Sequence, residues 1–439
     1  MNTTVSEVLQ FVEENDVKFI RLAFCDLFGR QKNISIMPEL LPRAFETGIS
    51  IDASGISGFG DEAESDLFLV PDPATLSVLP WRPSHGRVIR LLCHIRRPDG
   101  SPFEGDGRMA LKQAVQKAAD MGLTCRIGSE CEFYLFQTDE NGDPMMIPHD
   151  RAGYCDVAPL DKGENVRREI CLALEQMGIY PETSHHEHGP GQNEIDFRYS
   201  DAMTAADDLI NFKVAVKSIA ARNGLFASFL PKPIPGESGS GLHVNLSLAK
   251  NGLNIFKNDL KEHSAEAESF IAGILNRAAE ITAFLNPLAN SYERFGSFEA
   301  PRYITWSHQN RSPLIRIPAA KGEYARMELR SPDPSCHPHL AFALLIFAGL
   351  EGIERKLPLC PPVDGNLYAA EQSRLEGLSS LPATLGEALE LAKNSEFVKA
   401  CLPASMLKNY ISVKEKRWQA YCTAQDKQAY TLSRYFPKI

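Results

Sequence analysis

Acidic, basic and imidazole side chains recur in this sequence at every second residue, the spacing that puts them on one face of a strand. The segment GSECEFYLF (128–136) is rich in residues that favour extended backbone, so Glu130 and Glu132 share one face with Tyr134 and Phe136. GLHVNLSL (241–248) places His243, Asn245 and Ser247 opposite Leu242, Val244, Leu246 and Leu248. In ARMELRS (325–331), Arg326, Glu328 and Arg330 face away from Met327 and Leu329. SPLIRIP (312–318) sets Arg316 between Ile315 and Ile317, and HHEHGPGQNEIDFRY (185–199) carries Glu187 and Glu194 around a Gly-Pro-Gly turn.

A single charged strand face is ordinarily a solvated one. These five carry Glu, His and Arg where a solvated face carries Lys, Thr and Gln, and together they predict the lining of one pocket. The carboxylates Glu130, Glu132, Glu187, Glu194 and Glu328 would repel when packed together, and some would protonate unless cations intervene. Oxygen-rich ligation with one imidazole, His243, suits Mg²⁺ or Mn²⁺ better than Zn²⁺. Arg294, Arg311, Arg316, Arg326 and Arg330 supply fixed cations that grip phosphate or carboxylate through paired hydrogen bonds. Divalent metals with several arginines are the equipment of phosphoryl transfer. No G-x-x-x-x-G-K-[ST], G-x-S-x-G or H-E-x-x-H occurs, and GESGSG (236–241) fits neither the Walker nor the Rossmann pattern.

The elements that must position these residues follow from periodicity and punctuation. A helix is predicted at 5–15, then strands at 17–26 and 29–38, loops over 50–80 and a strand at 85–97. PDGSPFEGDGR (98–108) has the density of a linker, which divides the chain into domains 1–100 and 101–439. Beyond it, predicted helices at 108–121, 163–177, 201–222, 262–285, 337–355 and 396–422 alternate with strands at 124–136, 192–199, 241–248, 313–318 and 325–330. Short strands separated by long helices predict an α+β fold, a sheet backed by helices.

Bulk properties narrow the partners. The 439 residues carry a net charge of −10 with no basic stripe, which argues against nucleic acid. No apolar run approaches the ~18–20 residues of a membrane span. MNTTVSEVLQFVEEN lacks the basic and apolar regions of a signal peptide, and the ten cysteines form no C-x-x-C pair. A cytoplasmic protein with reduced thiols is expected.

The segments FCDLFG (24–29), IDASGISGF (51–59), GSECEFYLF (128–136), AGYCDVAPLD (152–161), HHEHGPGQNEIDF (185–197), GSGLHVNLSL (239–248), NSYERF (290–295), FEAP (298–301), NRSPLIRIP (310–318) and RMELRSPDP (326–334) resemble, in order and spacing, the bacterial-type (type I) glutamine synthetases. The resemblance implies an N-terminal β-grasp-like domain and a C-terminal catalytic domain whose curved antiparallel sheet is backed by helices. It implies a ligase in which ATP, as co-substrate, phosphorylates the γ-carboxylate of glutamate and ammonia attacks the γ-glutamyl phosphate. Two or more Mg²⁺ or Mn²⁺ ions would serve each site, one on Glu132, Glu187 and Glu194, the other on Glu130, His243 and Glu328. Arg294 and Arg330, with Ser238, Gly239 and Tyr154, would bind substrate. Arg311 and Arg316 would steady the transferring phosphoryl group, and Arg326, Ser247 and Asn245 would face the nucleotide. Asp52, from a neighbouring subunit, would deprotonate ammonium, and Glu299 would close over the intermediate. A homo-oligomer is implied, a dodecamer of two hexameric rings with shared sites.

Ser238 stands where the family often has asparagine, and Gly55 where it often has serine. Two further readings therefore stand beside the first: a γ-glutamylamide or γ-glutamylpolyamine ligase using an organic amine, and a catalytically silent ring-forming relative. All six metal-ligand positions are filled, which speaks for an enzyme.

Overall fold

The computed structural model describes residues 3–60, 65–82, 85–257 and 263–439. Residues 61–64 of the expected loop and residue 262 of an expected helix lie outside these.

The N-terminal part begins with helix α1 (Val5–Glu14), started by a reciprocal cap between Thr4 and Glu7. Strand β1 (Val17–Cys25) follows, pairing antiparallel with β2 (Gln31–Ile36). Helix α2 (Leu41–Thr47) leads into β3 (Ile49–Asp52), β4 (Asp66–Pro71), β5 (Ser77–Val78) and β6 (Arg87–Arg96). The sheet order is β2-β1-β6-β4-β3, with β1 and β6 parallel and β5 beside β6. Strands β4 and β5 correct the expectation that 50–80 is all loop: the run Leu67–Val70 is short, but Leu67 and Leu69 are buried, and β4 is held between β3 and β6.

The second part is built on one long strand. Helix α3 (Gly107–Asp120), capped by Asp106, precedes β7 (Leu123–Thr138), whose 16 residues pair with five other strands. In chain order come β8 (Pro144–Pro148), α4 (Glu164–Gln176), β9 (Pro181–His186), β10 (Gln192–Phe197), β11 (Ser200–Asp201), α5 (Ala202–Arg222), β12 (Leu225–Ser228), β13 (Leu242–Lys250) and β14 (Leu253–Asn254). Helix α6 (Ala265–Leu285), β15 (Trp306–His308), β16 (Ile315–Ile317), β17 (Met327–Leu329) and α7 (Pro338–Glu354) complete the sheet and its backing. The central path is β15-β16-β17-β13-β7-β10-β9, antiparallel except for the β15–β16 pair. Helices α8 (Gln372–Leu375), α9 (Leu385–Asn394), α10 (Glu396–Cys401), α11 (Ala404–Thr423) and α12 (Lys427–Tyr435) close the chain. The single helix expected over 396–422 is two, because Pro403 disfavours helical backbone at Leu402.

The apolar faces read from the sequence meet here. Leu242, Val244, Leu246 and Leu248 of β13, with Cys131, Phe133 and Leu135 of β7, are all at most 1% exposed. They pack against α5 and the almost wholly apolar α7 in one core that continues into the N-terminal sheet. Arg108 of α3 bridges the two parts, donating to Asp72 at 3.1 Å and to Asp207 of α5 at 2.7 Å, while His339 of α7 contacts the same Asp207 at 2.8 Å. Among the described residues, no helix is long and apolar enough to cross a membrane.

Candidate active site

Strand register places the polar faces side by side. His243 of β13 lies opposite Glu130 of β7, and Asn245 opposite Glu328 of β17. Arg316 of β16 lies opposite that same Glu328. On the other flank Glu194 of β10 is opposite Glu132, Asp196 is opposite Glu130, and His185 of β9 is opposite Glu194. One row of acids, imidazoles and guanidinium groups therefore crosses six strands, from β16 to β9.

This row floors a cavity of about 700 Å³. Its lining includes Glu130, Glu132, Glu187, Glu194, His243, Arg294, Arg311, Arg316, Arg330, Glu299, Ser238, Gly239 and Tyr154, all expected site residues. A second cavity of about 220 Å³ gathers Asn245, Ser247 and Arg326, and shares Glu130, Thr183 and Asp196 with the first. The two adjoin over the sheet at these shared residues. Glu328 lies beneath its floor, 1% exposed, held by Arg316 at 2.5 Å and by Arg330. Asp52 is the exception. It ends β3, is exposed, and accepts hydrogen bonds from the Ser54 amide and hydroxyl; it lines neither cavity of its own chain.

The acids are arranged under strain of like charge. Burial and the neighbouring carboxylates Glu132, Asp196, Glu130 and Glu187 push Glu194 well above the usual carboxylate range. Glu132 is pushed up to about 7 by burial, against the pull of His243 and with the repulsion of Glu187. Asp196 rises to about 6 through burial and Glu130. Burial would raise Glu130 too, but hydrogen bonds from His243 (3.2 Å) and Asn245 (2.9 Å) hold it down at about 2.

Such a donor set fits divalent cations. The ligand atoms of Glu130, His243 and Glu328 lie within 4.8 Å of one another, as do those of Glu132, Glu194 and His243, and those of His185, Glu187 and Glu194. The first triple matches one expected ligand set. The second and third link Glu132, Glu194 and Glu187 through shared members, with His185 and His243 among them.

The arginines face these acids. Arg294 is 3% exposed, donates to the Ser331 carbonyl at 3.0 Å, and keeps a buried Nε without a partner. Gly239 makes its approach possible, since a Cβ there would stand 2.6 Å from Arg294 Cγ. Glu299 sits at the mouth with φ 63°, a left-handed backbone that a non-glycine residue adopts rarely, 3.6 Å from both Arg311 and Arg330. Tyr154 stacks on His188 with 4.8 Å between ring centroids.

Several lining residues escaped the sequence reading. Gln192 and Asp196 alternate with Glu194, so the period-2 signal that found Glu194 contained them. His185 was unplaced because PETSHH (181–186) has no apolar alternation to mark a strand. Arg126, which packs on the ring of Tyr199 at 5.6 Å, lies on β7 on the same face as Glu130, so its alternation contained Arg126 too, whereas Tyr324 reaches the smaller cavity from a segment with no distinguishing motif.

A carboxylate cluster beside a row of arginines, spread across one sheet, has the equipment of metal-assisted phosphoryl chemistry. The profile of the glutamine synthetase β-grasp domain matches residues 16–98, and that of the glutamine synthetase catalytic domain matches residues 104–433. The chain belongs to the glutamine synthetase family. It is 48% identical to a glutamine synthetase of Clostridium saccharobutylicum over 96% of both chains, and 47% identical to one of Methanosarcina mazei over 100% of this chain and 98% of that one. Among solved structures, one described as a GmaS/ADP complex superposes with a TM-score of 0.88 at 30% identity, covering 99% of each chain. A Plasmodium falciparum glutamine synthetase superposes with 0.85 at 26% identity, covering 99% of this chain and 100% of that one.

Proposed function

We propose that the chain condenses L-glutamate with ammonia in two steps within these two adjoining cavities. The γ-phosphoryl group of ATP passes to the γ-carboxylate of glutamate, releasing ADP. Ammonia then attacks the γ-carbonyl carbon, and phosphate leaves as the amide forms. The overall activity, ATP-dependent glutamate–ammonia ligation, rests on family membership and on identity of 43–48% to glutamine synthetases over nearly the whole chain.

The observation that carries the residue-level reading is the cross-strand row, which sets carboxylates beside arginines along one floor. Glu130, His243 and Glu328 would hold one divalent cation and Glu132, Glu187 and Glu194 another, Mg²⁺ or Mn²⁺. Such cations, when bound, neutralise phosphate charge. Asn245, Ser247 and Arg326 line the nucleotide end. Arg294 and Arg330, with Ser238 and Gly239, receive the carboxylates of glutamate, and Arg311 and Arg316 hold the transferring phosphoryl oxygens. Glu299 closes the mouth and excludes water from the acyl phosphate. Asp52 lines neither of these two cavities in its own chain, so we assign it to the site of a neighbouring subunit, where with Tyr154 and Glu187 it holds ammonium and takes its proton. The reading is thus of a soluble, cytoplasmic homo-oligomer, a dodecamer of two rings, with domains 1–100 and 101–439.

Positional isotope exchange tests the intermediate. With ATP labelled at the β–γ bridge, glutamate present and ammonium absent, label should scramble into the non-bridging β-oxygens. No scrambling, alongside ammonium-dependent turnover, would contradict an acyl phosphate.

A further inference from the structure

A third cavity, of about 570 Å³, lies where the β1–β2 turn of the N-terminal part meets α5, α11 and the last residues of the chain. It shares no lining residue with the two cavities of the active site. Its lining includes seven cationic side chains, Arg30, Lys32, Lys213, Lys217, Lys414, Arg417 and Lys438, and no Asp or Glu side chain. The remaining walls are largely apolar, with Phe28, Ile210, Val214, Phe229 and Leu288, so charge there is poorly screened.

These cations find weak partners. Lys414 donates to the Pro287 carbonyl at 2.7 Å, Lys213 to the Cys336 carbonyl at 3.4 Å, and Lys217 to the Lys438 carbonyl at 3.4 Å. Arg417 lies on the ring of Phe28, 4.4 Å from its centroid, with Lys414 5.1 Å from the same ring. Gln31, also in the lining, keeps a buried Nε2 donor with no acceptor in the protein. Burial, with repulsion from Lys213 and Arg30, pushes Lys217 down to about 8, and burial with Arg417 and Arg30 pushes Lys414 well below its usual range. Only Lys414 is fully buried, Arg30, Lys213, Lys217 and Arg417 are half-buried, and the acids that act on the cluster, Asp26 and Asp333, lie outside the lining. An excess of one sign in a partly buried cavity favours entry of a counter-charge.

We propose that this cavity binds a small polyanion, a molecule carrying two or more carboxylate or phosphate groups, at a site separate from the catalytic one. Lys213 and Lys217 from α5, Arg417 from α11 and the Gln31 amide supply donors on several sides. The bound anion bridges the β1–β2 turn to the catalytic domain, tying the two parts together.

Calorimetric titration of the full chain tests this, with citrate and pyrophosphate as separate probes. Metal-free protein carrying Arg316→Ala is used, to remove phosphate capture in the catalytic pocket. One saturable site per chain is expected for at least one probe. Adding Lys217→Gln, or the exposed Lys32→Gln should the first fail to fold, should weaken it by about tenfold or more. Citrate alone would mark a polycarboxylate ligand and pyrophosphate alone a phosphorylated one. Lys217→Gln in otherwise native protein should leave ammonium-dependent turnover without added anion unchanged, which separates this outcome from that of the catalytic reading. No saturable binding of either probe, or binding unaffected by the lysine variants, would overturn the proposal.

Discussion

Arg316 stands where the carboxylate row meets the cavity: its guanidinium bonds the buried Glu328 and also lines the open space. A transferring phosphoryl group gathers charge that this side chain is placed to stabilise. Arg316→Ala should therefore lower kcat for ammonium-dependent phosphate release by about 10²–10³-fold, the usual cost of removing one such donor. Native-like turnover in that variant would remove Arg316 from the mechanism. Gly239→Ala acts differently. Its Cβ would collide with Arg294 Cγ and with the Pro231 carbonyl, each 2.6 Å away, so KM for glutamate should rise more than kcat falls.

The acids give a pH prediction whose sign is fixed. In metal-free folded protein Glu132 titrates at about 7 and Asp196 at about 6, against usual values of 4.5 and 3.8. As pH rises through that window the unfolded chain releases these protons first, so folding stability falls, by roughly a few kcal/mol over about pH 5 to 7. Divalent cations should remove this dependence. The melting temperature in a chelator should drop between pH 5 and 7 relative to that with Mg²⁺; parallel profiles would contradict the strained acid cluster. Alternation alone exposed Glu130, Glu132, Glu194, His243 and Glu328. It could not give register, so which acid faces which remained hidden until strands far apart in sequence were paired.

At the scale of elements, the strands carrying the site were legible because each has an apolar face as well as a charged one. β7, β13 and β17 show that alternation, and their observed limits lie within two residues of the expected ones. β9 has no apolar face, and α2 and α9 are short helices beside loops, so periodicity missed all three. The backing helices α6 and α7 touch through glycines. A Cβ on Gly352 would stand 2.0 Å from the Ser269 carbonyl, and one on Gly273 2.2 Å from the Ala348 carbonyl. Gly352→Ala should force the helices apart and destabilise the chain by about 3 kcal/mol. Chemical denaturation reads this directly, and an unchanged midpoint would contradict so close a helix contact.

For the whole molecule, the placement of Asp52 is the decisive fact. It is an exposed residue at the end of β3, outside every cavity that holds the other expected site residues. If a neighbour uses it, subunits carrying Asp52→Ala and subunits carrying Arg316→Ala are each inactive alone. Co-assembled at random, they should regain about a quarter of native activity, because some interfaces then join two intact contributions. No recovery on mixing would place Asp52 in a purely local role. The sequence showed this aspartate within a matching segment but not the geometry that separates it from its own pocket.

The central claim is tested most directly by measuring phosphate release from ATP and Mg²⁺ with L-glutamate, comparing ammonium with methylamine, ethanolamine and putrescine at equal concentration. The account predicts robust turnover with ammonium and far weaker turnover with every alkylamine. Turnover confined to an alkylamine would contradict it, and would make the chain a γ-glutamylamide ligase built on the same site.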